Sequence, residues 1–179
     1  VKKIQRIAQG FNVAPLAAAL RSDHGFWDQD TMRTASPDSP HHGVSDIFVR
    51  YAADPKVPGP HESVWYPCAD VLPVKPLCYD LMRMVDGNRL GGVLITRIPA
   101  FGGVKPHIDR GWHAETYRKF CVQVESAPGQ KFVVGKEELE AAPGDVYEFR
   151  NEYPHYVTNP TDSIRVSLIV CIQTDKVFS

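Results

Sequence analysis

A chain of 179 residues has room for one well-buried core and little for a second. Its 20 Lys and Arg nearly balance 21 Asp and Glu, with no run of like charge, so nothing in the charge pattern draws it to nucleic acid or an anionic membrane. No apolar stretch is long enough to span a bilayer and the first residues carry no signal-peptide pattern, which sets the expectation of a cytoplasmic protein. Cys68, Cys78, Cys121 and Cys171 lack zinc-like spacing and read as reduced, partly buried thiols.

Ile4, Ile7 and Phe11 recur at helical spacing up to Gly10, and Asn12 is placed to cap a second helix whose Leu16 and Leu20 share a face. Both read as packing helices. From 22 to 43 the composition turns to Asp, Ser, Pro, His and Gly, an irregular segment long enough to be a lid or binding loop with Arg33, His41 or His42 as polar contacts. A strand is predicted over 46–51, then a proline-marked loop around Trp65. The clearest helix runs from about 74 to 86, with Pro76 in its first turn, Gly87 past its end, and Leu77, Leu81, Met84 and Val85 as its apolar stripe.

After Gly91 and Gly92 the period changes to two. Strands are predicted over 93–98, 119–125, 131–134, 145–149, 155–158 and 163–172, separated by Gly, Pro and Asn turns, a spacing that suggests a jelly-roll or barrel. The expected organisation is a single domain, 1–179, in which a helical and loop-rich part (1–90) covers a β core (91–175) that carries the site.

The segment Lys105-Pro-His-Ile-Asp-Arg-Gly-Trp-His113 carries the chemistry. In an extended chain His107 and Asp109 project to one side about 7 Å apart, a spacing at which one metal ion takes both. His155, on a distant strand, is the natural third ligand, and ten residues later Arg165 and Ser167 follow. Two histidines, a carboxylate and a strand arginine suit the gripping of a small dicarboxylic acid while one of its ends chelates the metal. In the last strand Ile164, Val166, Leu168, Val170 and Ile172 form a face to pack under the N-terminal helices, leaving Arg165 and Ser167 to line the metal-bearing interior. In the 119–125 strand Phe120, Val122 and Val124 form the apolar face, and the same parity puts Arg118 inward, where a guanidinium needs an anionic partner. Trp112 and His113 read as loop positions, and His24, His41, His42 and His61 have no partner at metal spacing.

From Gly91 to about Asp175 the sequence resembles the aspartyl/asparaginyl β-hydroxylase family of iron(II)- and 2-oxoglutarate-dependent oxygenases. The matching pieces, in order, are Ile98-Pro-Ala-Phe-Gly-Gly103, His107-Ile-Asp109, Tyr117-Arg118, Ala142-Pro-Gly-Asp-Val146, His155 and Arg165-Val-Ser167. The resemblance implies a mainly β, double-stranded β-helix fold of the jelly-roll, cupin-like kind, with the N-terminal helices flanking it. It implies that His107, Asp109 and His155 hold Fe(II), that Arg165 pairs with the distal carboxylate of 2-oxoglutarate, and that Ser167 assists it. Arg118, on the same wall, would hold a carboxylate of substrate or co-substrate. Relatives often carry a histidine two residues after that arginine; here the position is Phe120.

The expected activity is that of a dioxygenase using Fe(II), 2-oxoglutarate and O2 to hydroxylate an amino-acid side chain, in a free amino acid, a peptide or a protein, with release of succinate and CO2. Asp109 argues against halogenation, because the halide needs the carboxylate's position. Two alternatives stay open: a metal-dependent cupin dioxygenase or isomerase that uses no 2-oxoglutarate, which leaves Arg165 without a task, and a non-catalytic jelly-roll binding domain.

Overall fold

The computed structural model describes residues 2–57 and 59–177. Its elements in chain order are β1 (Ile4–Ala8), α1 (Ala14–Leu20), β2 (Ser45–Ala52), β3 (Ser63–Trp65), a 3-10 turn (Pro67–Asp70), α2 (Lys75–Met84), β4 (Arg89–Ile98), β5 (Gly103–His107), α3 (Trp112–Thr116), β6 (Arg118–Glu125), β7 (Lys131–Val134), β8 (Glu137–Leu139), β9 (Val146–Phe149), β10 (His155–Thr158) and β11 (Arg165–Gln173). They form two sheets, a seven-stranded one in the order β1-β9-β6-β11-β4-β2-β3 and a four-stranded one in the order β5-β10-β7-β8. All the strand pairings are antiparallel.

The larger sheet is apolar on both faces, and each face has its own core. One face carries Phe120, Val122, Val124, Val166, Leu168, Val170 and Ile172 against α1 and α2, which contribute Leu16, Leu77 and Leu81. The other, with Ile98, Cys121 and Tyr147, packs on Val104, Phe132, Val134 and Val157 of the smaller sheet. Burial of aliphatic and aromatic surface on this scale contributes about 1.5–3 kcal/mol per side chain, offset by the entropy of ordering the chain.

Four expectations need correction. The first predicted helix is the strand β1, an edge strand whose residues pair with β9, Ile4 opposite Phe149. Its apolar spacing mimics a helix because only Ile4 of the strand is deeply buried. The expected pair of N-terminal helices is therefore reduced to α1, and the first half of the chain, through β1, β2 and β3, is part of the larger sheet as well as a cover. The N-terminal boundary of α1 is Val13, with Pro15 in its first turn, and not Asn12. The short strands β3 and β8 escape the alternation rule because three residues carry too little pattern.

Candidate metal centre

Two hairpin-like turns bring the centre together. Ile98-Pro-Ala-Phe-Gly102 reverses the chain between β4 and β5, with Phe101 at φ 55° and the Gly102 N–H donating to the Pro99 carbonyl at 3.1 Å. Gly103 then runs so close to β10 that a Cβ there would lie 2.6 Å from the Val157 carbonyl oxygen. This close pairing puts His107 opposite His155, with ring centroids 4.3 Å apart. The turn from β10 to β11 is locked by Asn159, whose amide donates to the carbonyls of Pro99 and Ser163 at 2.8 Å each, while Gln130 donates to its oxygen at 3.0 Å. Both amide side chains are buried. That network fixes the step from His155 on the smaller sheet to Arg165 on the larger.

Each imidazole is oriented by its far nitrogen. His107 Nδ1 meets the Lys105 carbonyl at 2.8 Å and His155 Nδ1 meets the Tyr153 carbonyl at 2.9 Å, which makes both Nδ1 atoms donors and leaves both Nε2 lone pairs facing inward. Asp109 lies between them, Oδ1 at 3.7 Å from His107 Nε2 and Oδ2 at 3.5 Å from His155 Nε2. One ligand atom from each residue lies within 4.8 Å of the other two. Lys119 Nζ is also bound to Asp109 Oδ2. Burial works to raise the Asp109 carboxyl, but the adjoining His155 and the Lys119 ammonium outweigh it and hold the group well below the usual carboxylate range. Burial, with the neighbouring His155, pulls His107 down against the opposing bond to Lys105. Both shifts favour the protonation states that bind a metal.

Arg165 is 1% exposed and sits in the same cavity as the three donors. Among the described residues its one side-chain partner is the Tyr147 hydroxyl, at 3.1 Å from Nη2, and its Nε and Nη1 are buried without an acceptor. A buried guanidinium with two idle donors is costly unless an anion meets it. Ser167 lines the cavity too, its hydroxyl donating to Gln123 Oε1 at 3.2 Å. The remaining walls include Ile98, Val104, Phe132, Phe149 and Val157. The donor set fits Fe(II), with two imidazoles and a carboxylate leaving coordination positions open, and the idle guanidinium nitrogens fit the far carboxylate of a keto acid.

Arg118 is not on this wall. Its guanidinium points away and binds Glu148, at 2.6 Å from Nε, and the Lys176 carbonyl. The parity reading of β6 fails because the Phe120, Val122, Val124 face belongs to the helix-side core; β11 pairs Val170 with Phe120 and Leu168 with Val122. Phe120 thus also faces away from the metal, and Lys119 and Cys121 face it. Lys119 is the contact that sequence reasoning missed, although its parity with Cys121 on the face opposite Phe120 could have found it.

The 22–43 segment does reach the centre. His41 stacks edge-on against His107, centroids 4.6 Å apart, and accepts from Arg33 Nη2 at 3.2 Å through Nδ1. Arg33 is itself held by the buried Asp46 at 2.9 Å. Burial first, then Arg33, push His41 down to about 2, so it is neutral. His42 turns away to the Thr34 carbonyl. His113 accepts from the Gly92 N–H at 3.2 Å, and burial, then Lys119, lower it to about 4. The four cysteines are free and buried. A wider cleft of about 520 Å³ along α3 and β9 touches the centre only through Asp109.

No protein-family model matches the chain, and no curated protein does. Solved structures do share its fold. A 2OG-Fe(II) oxygenase family oxidoreductase from Burkholderia pseudomallei superposes with a TM-score of 0.56 at 15% identity, over 74% of this chain and 67% of that one. The viral collagen prolyl hydroxylase of Paramecium bursaria Chlorella virus 1, in its 2OG complex, gives 0.57 at 10% identity over 97% of both chains. The fold is thus one found in 2OG-Fe(II) oxygenases, and it holds here a His-Asp-His group able to take a metal. No helix among the described residues is long and apolar enough to cross a membrane.

Proposed function

We propose that this chain is an Fe(II)- and 2-oxoglutarate-dependent oxygenase of the double-stranded β-helix kind, hydroxylating an amino-acid side chain in a free amino acid, peptide or protein. The carrying observation is Arg165: a fully buried cation with two partnerless nitrogens, in one cavity with three convergent metal donors. The side-chain substrate rests on the resemblance of the His107-Ile-Asp109, His155 and Arg165-Val-Ser167 pieces to the aspartyl/asparaginyl β-hydroxylases; the prolyl hydroxylase with the same fold also acts on an amino-acid residue.

In this reading His107, Asp109 and His155 hold the metal, with both imidazoles aimed by backbone carbonyls. Arg165, braced by Tyr147, fixes the distal carboxylate of the keto acid through a planar fork that lysine would imitate poorly. The apolar walls keep water from the reacting centre. Iron, 2-oxoglutarate and O2, when bound, supply the oxidation: the keto acid leaves as succinate and CO2, one oxygen atom enters the succinate and the other a substrate C–H bond.

Anaerobic titration of the metal-free protein with Fe(II) and then 2-oxoglutarate tests this through the visible charge-transfer band of a chelated keto acid. The band is expected in the wild type and weakened in Arg165→Ala. Iron binding with no band would favour a cupin enzyme that uses no keto acid, and no iron binding would sink both enzymatic readings.

A further inference from the structure

Beside the metal centre a second cleft, about 420 Å³, opens over β2, β4 and β11 and reaches Asp109. Its floor is apolar, built from Phe48, Leu94 and Ile169. Its polar lining is one-sided. Arg33, Arg50, Arg110 and Lys119 contribute cations, and among the described residues the single carboxylate is Asp109. Arg33 is matched by Asp46 and Lys119 by Asp109, which leaves two arginines without a carboxylate. Arg50 donates to the Leu90 carbonyl at 3.3 Å and lies 5.2 Å over the Trp65 ring, with its Nε unpartnered. Arg110 is exposed at the rim and makes no hydrogen bond or ion pair among the described residues.

The two histidines of the cleft add to the same bias. Arginine can only donate, so His41 Nδ1 is an acceptor and the ring's hydrogen sits on Nε2. The Gly92 amide likewise makes His113 Nε2 an acceptor and puts its hydrogen on Nδ1. Each imidazole is held in one tautomer, and each keeps a donor as its remaining polar atom. A Cβ at Gly92 would lie 3.2 Å from Tyr51 and 3.3 Å from His113, so the bare backbone there is what lets the ring seat. Asp109 aside, the charged and imidazole groups of the cleft are donors over an apolar floor, in a chain whose net charge is only −1. Such a lining leaves a neutral, donor-bearing ligand with little to pair with and suits one that brings acceptors and negative charge.

We infer that this cleft is the substrate subsite and that it takes a small organic anion, a carboxylate or phosphate on an apolar stem, with Arg110 and Arg50 gripping the anionic end and Phe48, Leu94 and Ile169 the stem. The volume is in the range of small-ligand sites and too small for a folded partner. The assignment of substrate builds on the oxygenase reading, whereas the binding property stands apart from it.

The test is a titration of the full chain, with and without zinc, with hexanoate against hexanamide and hexyl phosphate against hexanol, read by backbone amide shifts. Hexanoate or hexyl phosphate is expected to move Gly92, Leu94, His113 and Ile169 with at least tenfold tighter binding than its neutral counterpart. Arg110→Glu should abolish that preference and Arg110→Ala weaken it, while Arg165→Ala leaves it in place, separating this cleft from the Arg165 cavity. Binding of hexanoate alone or hexyl phosphate alone names the anion. Equal binding of neutral and charged probes, no shifts at the cleft, or no effect of Arg110→Glu overturns the inference. Failure to bind iron with anion binding intact would overturn the oxygenase reading and leave the subsite standing.

Discussion

Lys119 rises from the larger sheet and places its ammonium on Oδ2 of Asp109, the carboxylate that lies between the two imidazoles of the smaller sheet. The carboxylate's charge is thus shared between the Lys119 ammonium and the candidate metal position. Lys119→Met removes the competitor, and divalent metal affinity at neutral pH is expected to tighten on the order of tenfold, read by manganese titration. The same substitution raises Asp109 toward its ordinary value. A depressed carboxyl stabilises the native state above its unfolded value near 3.8, and that contribution is lost as the pH falls through the folded value. The acid-unfolding midpoint of the metal-free variant should therefore move to higher pH.

Arg165→Met should raise the melting temperature of the ligand-free protein. The native guanidinium is buried with two unpartnered nitrogens, and an apolar side chain of similar volume removes that desolvation cost, by about 1–2 kcal/mol. Added 2-oxoglutarate should stabilise the wild type and not the variant. Calorimetric scans of both proteins with and without the keto acid decide it; a variant less stable than wild type in the absence of ligand counts against an idle cation.

Gly103→Ala should disable the centre from outside it. The added methyl would meet the Val157 carbonyl oxygen at 2.6 Å, so β5 must part from β10 and His107 moves off its partner His155. We expect a loss of about 2–3 kcal/mol by denaturant unfolding and a metal affinity weakened at least tenfold.

Arg33→Met tests the chain of contacts behind His41. Burial raises the Asp46 carboxyl and Arg33 opposes it. A raised folded value means the native state keeps this proton longer than the unfolded chain, so the stability it lends at low pH is lost as the pH rises through that value. Without Arg33 the loss continues into the neutral range. Stability at pH 7 should drop by about 2–3 kcal/mol, discounted for the partial exposure of Arg33, with a smaller drop at pH 5.

What was readable in the sequence follows the length and regularity of each strand. β11 is long and alternates cleanly, so its two faces, Arg165 and Ser167 against Val166 and Leu168, are assigned as the structure has them. β6 alternates as well, yet both of its faces are buried, one under the helices and one between the sheets, and apolar character alone does not say which core a face joins. Parity alone therefore puts Arg118 on the wrong wall and does not single out Lys119. β1 carries no strand signal of its own because its partner, β9, is more than a hundred residues away and only pairing makes it a strand. The loop residues Arg33 and His41 were legible as polar contacts of a binding segment, but their seating against His107 depends on Asp46, a contact with no periodic signal.

The candidate metal donors His107 and His155 stand on one sheet, and Arg165 and Lys119 on the other. A keto acid held at both ends would act as a tie-bar across the sandwich, resisting the separation through which β5 and β10 exchange their amide hydrogens. Occupancy should then be visible as slowed exchange along those two strands, far beyond the atoms the ligand touches, so that the chemistry of the site is also a clamp on the motion of the fold.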